Sequence, residues 1–179
     1  MRASDIVLPN TEPETEWVRG RALQKVSPTR SDSLLQLKLG SELQAWAGPR
    51  GEVGSEWRFR VAPPGKPARP LVPDISYVRV DRLRGLTGND LEVPRLSPDV
   101  VVEILSPDDR RADVDDKIAT YLAAGSVLVM IVDPRTLTVE LHDARRKTTL
   151  HSGDSIAHPQ LPGFELCVSR LFEVIAPPR

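Results

Sequence analysis

The segment SPDVVVEILSPDDRRADVDDKIATYLAAG, from Ser97 to Gly125, leaves the chain few folds to choose from. Val100, Val101, Val102, Ile104 and Leu105 make a short apolar run of the kind buried on both faces of a sheet. After a polar loop over 106 to 113, a helix is expected from about Val114 to Ala124, with Asp113 as N-cap and Gly125 as a left-handed C-terminal cap. A second apolar run, VLVMIV from Val127 to Val132, stops at Asp133-Pro134. Strand, helix and strand in that order form a βαβ unit, parallel and right-handed by strong default.

Two charges stand inside this frame where apolar residues belong. Glu103 interrupts the first strand, and a lone carboxylate there would be costly or protonated unless a cation, a metal or donors compensate it. Lys117 falls on the helix stripe formed by Val114, Ile118, Tyr121 and Leu122, so its ammonium is aimed at the sheet. Asp74 opens the strand DISYVRV after Pro73. Oxygen ligands without Cys or paired His favour magnesium or manganese over zinc. Such an ion can acidify bound water and neutralise a phosphoryl oxygen, while a lysine orients the water, which is the inventory for phosphodiester hydrolysis.

The remaining segments supply the rest of an α/β domain. Residues 1–14 are polar, hold two prolines and are expected as a flexible arm, leaving 15–179 as one domain. EWVRGRALQKV reads as a hairpin turning at Arg19-Gly20, with Glu16 at the start of its first strand. Ser31, Asp32 and Ser33 offer N-caps for a helix to about Ala47, whose Leu35, Leu39, Leu43 and Trp46 share a face. SEWRFRV, residues 55 to 61, alternates as one strand. Five prolines between Pro63 and Pro73 argue for an extended connection without a sheet ladder. Residues 79 to 89 read as a helical turn and loop, 137–142 and 147–150 as a hairpin, and FELCV and SRLFEV as a last strand and helix.

Composition narrows the setting. With 179 residues the chain is long enough for one domain with a substantial core. A net charge of −1 gives no overall attraction to nucleic acid, so any phosphate-binding surface must be local. One cysteine, Cys167, excludes an internal disulfide. No apolar stretch suits a signal peptide or a membrane span, and a cytoplasmic location is expected.

The runs VPDISYV, SPDVVVEILSPDDRRADVDDKIATYLAAG, VLVMIVDPRTLTVEL and LPGFELCVSRLF resemble the Uma2 family, formerly a domain of unknown function, within the PD-(D/E)XK nuclease superfamily. The resemblance runs from about Glu16 onward and implies a restriction-endonuclease-like fold: a mixed, twisted sheet flanked by helices. By that resemblance Asp74 is the motif aspartate and Glu103 the (D/E) position. Leu105 stands where the usual lysine would be, and Lys117 occupies the helix position to which that lysine has moved. Glu16 matches a hairpin glutamate of the family, an extra ligand or positioning group. The implied activity is an endonuclease using Mg2+ or Mn2+, with Asp74, Glu103 and the Ile104 carbonyl as metal ligands and Lys117 assisting the attacking water. DNA is the expected partner, with a second copy of the chain as a further candidate. A histidine common near the start of the first long helix is replaced here by Ser31-Asp32-Ser33.

Each residue has a plainer reading. Asp74 and Asp99 follow prolines and could simply cap turns. Glu103 and Lys117 could be a structural salt bridge, Lys117 could snorkel to solvent, and Glu16 could be a solvated strand-end charge. His142, His151 and His158 lack metal spacing and are expected on the surface, as are Arg145, Arg146 and Lys147. Arg110 and Arg111 follow the central strand and are the better candidates for phosphate contacts. The rival to an enzyme is a non-catalytic nucleic-acid-binding or interaction module that keeps the same fold.

Overall fold

A computed structural model describes residues 4–178; residues 1–3 of the expected arm lie outside them. In chain order the elements are β1 (Thr15–Val18), β2 (Arg21–Gln24), α1 (Arg30–Ala47), β3 (Gly51–Ser55), β4 (Phe59–Val61), β5 (Arg69–Leu71) and β6 (Ile75–Arg79). Then come α2 (Val80–Leu83), α3 (Asn89–Glu92), β7 (Val100–Ile104), α4 (Arg111–Ala123), β8 (Leu128–Asp133), β9 (Thr138–His142) and β10 (Lys147–Leu150). The chain closes with β11 (Ser155–Ile156), β12 (Leu166–Cys167) and α5 (Val168–Phe172).

The central sheet has six strands in the order β10-β9-β8-β7-β6-β3. Only β7 and β8 run parallel, joined through α4, and every other neighbouring pair is antiparallel. This is the mixed α/β sheet the βαβ reading implies.

Period-two alternation along β7 divides the interior into two layers. Val100, Val102 and Ile104 join Leu35, Leu39 and Leu43 of α1 in one buried cluster. Val101 joins Val129 and Ile131 with Val114, Ile118 and Tyr121 of α4 in the other. Glu103 shares a face with Val101, so it points toward α4. In the β6–β7 register Ile75 lies opposite Val102, and one more step sets Asp74 opposite Glu103 on the same face.

Several local readings change in the structure. α1 starts at Arg30 because Thr29 is its cap, and Asp32 completes a capping box with the Thr29 main chain rather than capping the helix itself. α4 starts a turn earlier than expected, and Asp113 lies inside it, held by Arg21 at 2.6 Å. The segment 55–61 is two elements: the chain turns at Glu56, φ 52°, so β3 edges the large sheet while β4 pairs with β5. Despite Pro70, residues 69–71 do form a short strand, because a two-stranded ribbon leaves one edge on which a missing N–H costs nothing. His158 is not a surface residue: its side chain is buried and bonds Asp143 at 3.0 Å.

Within the segment expected as an arm, the Ile6 N–H donates to the Ala68 carbonyl at 2.9 Å, Asp5 pairs with Arg95 and Glu14 with Arg58. Asp99 accepts the Arg79 N–H at 2.9 Å and an Arg82 guanidinium at 3.1 Å, so it braces the start of α2.

Candidate active site

The β1–β2 hairpin lies over the N-terminal half of α4. It is fastened there by Arg21 on Asp113 and by the Arg19 N–H on Asp116 at 3.2 Å. Alternation along its strands turns Glu16 and Val18 inward, and both are buried. Glu16 thereby meets α4 and the end of β5. Its Oε1 accepts the Val72 N–H at 2.7 Å and its Oε2 the Lys117 ammonium at 2.9 Å.

Lys117 reaches the sheet as its place on the helix stripe implies. Its Nζ donates to Glu103 Oε2 at 2.7 Å, and the Tyr121 hydroxyl, one turn along α4, donates to Glu103 Oε1 at 3.2 Å. Glu16, Glu103 and Lys117 are each at least nine-tenths buried. Lys117 does not snorkel, and Glu16 is not solvated.

Asp74 faces the same cavity from the start of β6. Its Oδ2 accepts the Ile104 N–H at 2.6 Å, and its Oδ1 is held by Lys25 at 2.7 Å. In a strand the N–H and C=O of one residue face the same neighbour. The Ile104 carbonyl is therefore turned toward the side on which Asp74 lies. Glu16, Asp74, Glu103, Ile104 and Lys117 all line one cavity of about 910 Å³. Arg110 lines it too, whereas Arg111 turns to Asp115 and Glu140.

Sequence reading missed three residues here. Lys25 extends the hairpin by one rung, its N–H donating to the Glu14 carbonyl at 2.8 Å, and alternation from Arg21 and Leu23 turns its side chain inward. Counting that alternation past Gln24 would have found it. Glu56 pairs with Lys25 at 2.8 Å, and no sequence signal marks it, since it arrives through the break between β3 and β4. Gln36 of α1 donates to the Asp74 carbonyl at 2.8 Å and to Glu56 at 3.3 Å, filling the helix side of the site.

The electrostatics favour added positive charge. Burial pushes the Glu103 carboxyl up to about 8; Lys117 opposes the rise, while Glu16 and Asp74 add to it. Burial lowers the Lys117 pKa, but Glu103 and Glu16 outweigh it, so the ammonium stays protonated well beyond the ordinary lysine range. Among the cavity-lining residues ten are acidic and four, Arg21, Lys25, Arg110 and Lys117, are basic. Among the described residues no three His, Cys, Asp or Glu side chains stand close enough together to grip an ion unaided. The donor set nonetheless fits a hard divalent cation: only oxygens are on offer, and four carboxylates, Glu16, Glu56, Asp74 and Glu103, share two ammonium groups.

The raised Glu103 pKa gives an expected pH response. The folded state retains a proton that the unfolded chain releases near 4.5, so Glu103 stabilises the fold at low pH and that contribution fades as pH rises toward 8. Lys25 and Lys117, shifted upward from 10.5, remain charged in both states across this window. Urea midpoints of the metal-free protein should fall between about pH 5 and pH 8. Glu103→Gln should flatten that slope, and an identical slope in the variant would place the titrating group elsewhere.

The Uma2 family model, described as "Putative restriction endonuclease", matches residues 5–169. The fold is similar to the crystal structure titled a "putative nuclease belonging to DUF820" from Anabaena variabilis, with a TM-score of 0.84 and 25% sequence identity over 94% of each chain. No curated protein matches the sequence.

Proposed function

Because the chain belongs to the Uma2 family, we propose that it is a divalent-metal-dependent endonuclease hydrolysing phosphodiester bonds of nucleic acid, DNA first among them. One observation carries the reading: Glu16, Asp74, Glu103 and Lys117, drawn from four separate elements, line a single cavity beside the Ile104 main chain. A Glu103–Lys117 salt bridge kept only for stability has no need of two further acids, Glu16 and Asp74, beside it, since like charges at close range oppose folding.

The Asp74 and Glu103 carboxylates would hold the cation, with the Ile104 carbonyl completing the set. A cation held by these residues would supply acidification of a water and neutralisation of a phosphoryl oxygen. Lys117 is a donor and not a base, because its neighbours hold it protonated. It orients the attacking water and faces the charge that develops on the phosphoryl group. Glu16 fixes Lys117 from the hairpin side, anchored in turn by the Val72 N–H. Arg110 is left to contact a flanking phosphate.

The acid-rich lining favours one second reading, a non-catalytic module with the same fold, since ten carboxylates repel a polyanion until cations load. Thermal unfolding with and without Mn2+ separates the two. A ligand at a hundredfold excess over its Kd stabilises by about 2.7 kcal/mol, which is about 5–10 °C for a chain of this size. That rise is expected for the wild type and not for Asp74→Ala or Glu103→Ala. Equal rises in all three proteins would move the metal away from this site.

A further inference from the structure

Lys25 has no place in the chemistry just described, yet it holds the position a cation would want. Its ammonium donates to Asp74 Oδ1 at 2.7 Å, Glu56 Oε2 at 2.8 Å and the Val72 carbonyl at 2.9 Å. All three of its protons are therefore taken up by a cage of oxygens, two of them carboxylate, which is the donor chemistry a hard cation selects. Asp74 gives its other oxygen to the Ile104 N–H, so the oxygen held by Lys25 is the one it can offer an ion. Burial disfavours charge on Lys25, but Asp74, Glu103, Glu16 and Glu56 together keep it protonated above the ordinary lysine range.

We propose that Lys25 is a built-in counter-ion at Asp74 that a divalent cation must displace in order to bind. The inference rests on the metal-dependent reading above. A divalent ion on Asp74 Oδ1 would meet the ammonium at contact distance, and like charges there repel, so the two exclude one another. Displacement asks little of the fold. The Lys25 main chain is tied into the hairpin through Glu14, while four flexible methylenes carry the ammonium, so the head can swing out as the strand stays. Gln36 continues to hold Glu56 and the Asp74 carbonyl after the ammonium has left. Asp74 thereby keeps a cationic partner without metal, and the metal affinity of the site is set below what its carboxylates alone would give.

Two experiments test this. In calorimetric titration with Mn2+, Lys25→Met should bind at least tenfold more tightly than the wild type, and Asp74→Ala should abolish the binding in both backgrounds. Asp74-dependent binding that is equal or weaker in Lys25→Met overturns the counter-ion while leaving the metal reading intact. Absence of Asp74-dependent binding in wild type and variant alike overturns both. The second experiment needs no change at Lys25: amine acylation of the wild type, read by mass spectrometry, should label Lys25 poorly without metal and several-fold faster with saturating Mn2+. In Asp74→Ala, Mn2+ should leave the labelling unchanged. Unchanged Lys25 labelling in metal-bound wild type overturns the proposal even if Lys25→Met does not fold.

Discussion

Lys117→Met should cost the metal-free protein about 3–5 kcal/mol of stability, because it removes the one cation shared by two buried carboxylates. Lys117 lies 2.7 Å from Glu103 and 2.9 Å from Glu16, and both partners are almost wholly withdrawn from water. Methionine keeps an unbranched stem of similar length, so the substitution removes chiefly the charge that holds Glu16 and Glu103. The cost should depend on pH. Below the raised pKa of Glu103 one carboxyl can take a proton and relieve the repulsion, whereas near pH 8.5 it cannot without a larger penalty. Urea unfolding at pH 5.5 and 8.5 checks both the size and the direction. A loss below about 1 kcal/mol at the higher pH would show that the acids find another partner, and Lys25 would be the first to examine.

Glu103→Gln should act in the opposite way, abolishing cleavage while sparing the fold. Lys117 keeps Glu16 when Glu103 is neutralised, so no charge is stranded, and the glutamine oxygen can still accept from the ammonium. Removing a carboxylate from a crowded, buried cluster relieves repulsion, so metal-free stability near pH 8 should hold or rise. Activity should fall by more than about a hundredfold, since losing even the outer supports of a metal ligand costs 10- to 100-fold. The measurement is cleavage of plasmid DNA with Mn2+ beside urea unfolding of the same preparations. Full activity in Glu103→Gln would remove Glu103 from the chemistry. A fold that collapses in both this variant and Lys117→Met, with a wild type that cuts no nucleic acid, would instead mark the cluster as a structural ion-pair network.

The contrast between the two variants comes from Glu16, which turns a pair into a triad. From sequence, Glu103 and Lys117 could already be set facing one another, because each lies on a local periodicity. Val101 and Glu103 must share a face of β7, and Val114, Lys117, Ile118 and Tyr121 must share a face of α4. A right-handed parallel connection then lays that helix on the sheet. Nothing beyond the local chain was needed for this half of the site.

Neither the partner of Asp74 nor the fate of the hairpin could be settled in that way. Glu16 and Lys117 are 101 positions apart, and Lys25 and Asp74 are 49 apart. No periodicity links such pairs; they meet because Arg19 and Arg21 bind the hairpin to Asp113 and Asp116 on α4. Glu56 reaches the site only because the alternating segment SEWRFRV breaks into two strands, its neighbours Ser55 and Phe59 entering different sheets. The pattern of apolar residues sets which face of an element is buried. Which buried faces meet is decided by packing across the whole domain, and that is where Lys25 acquires Asp74.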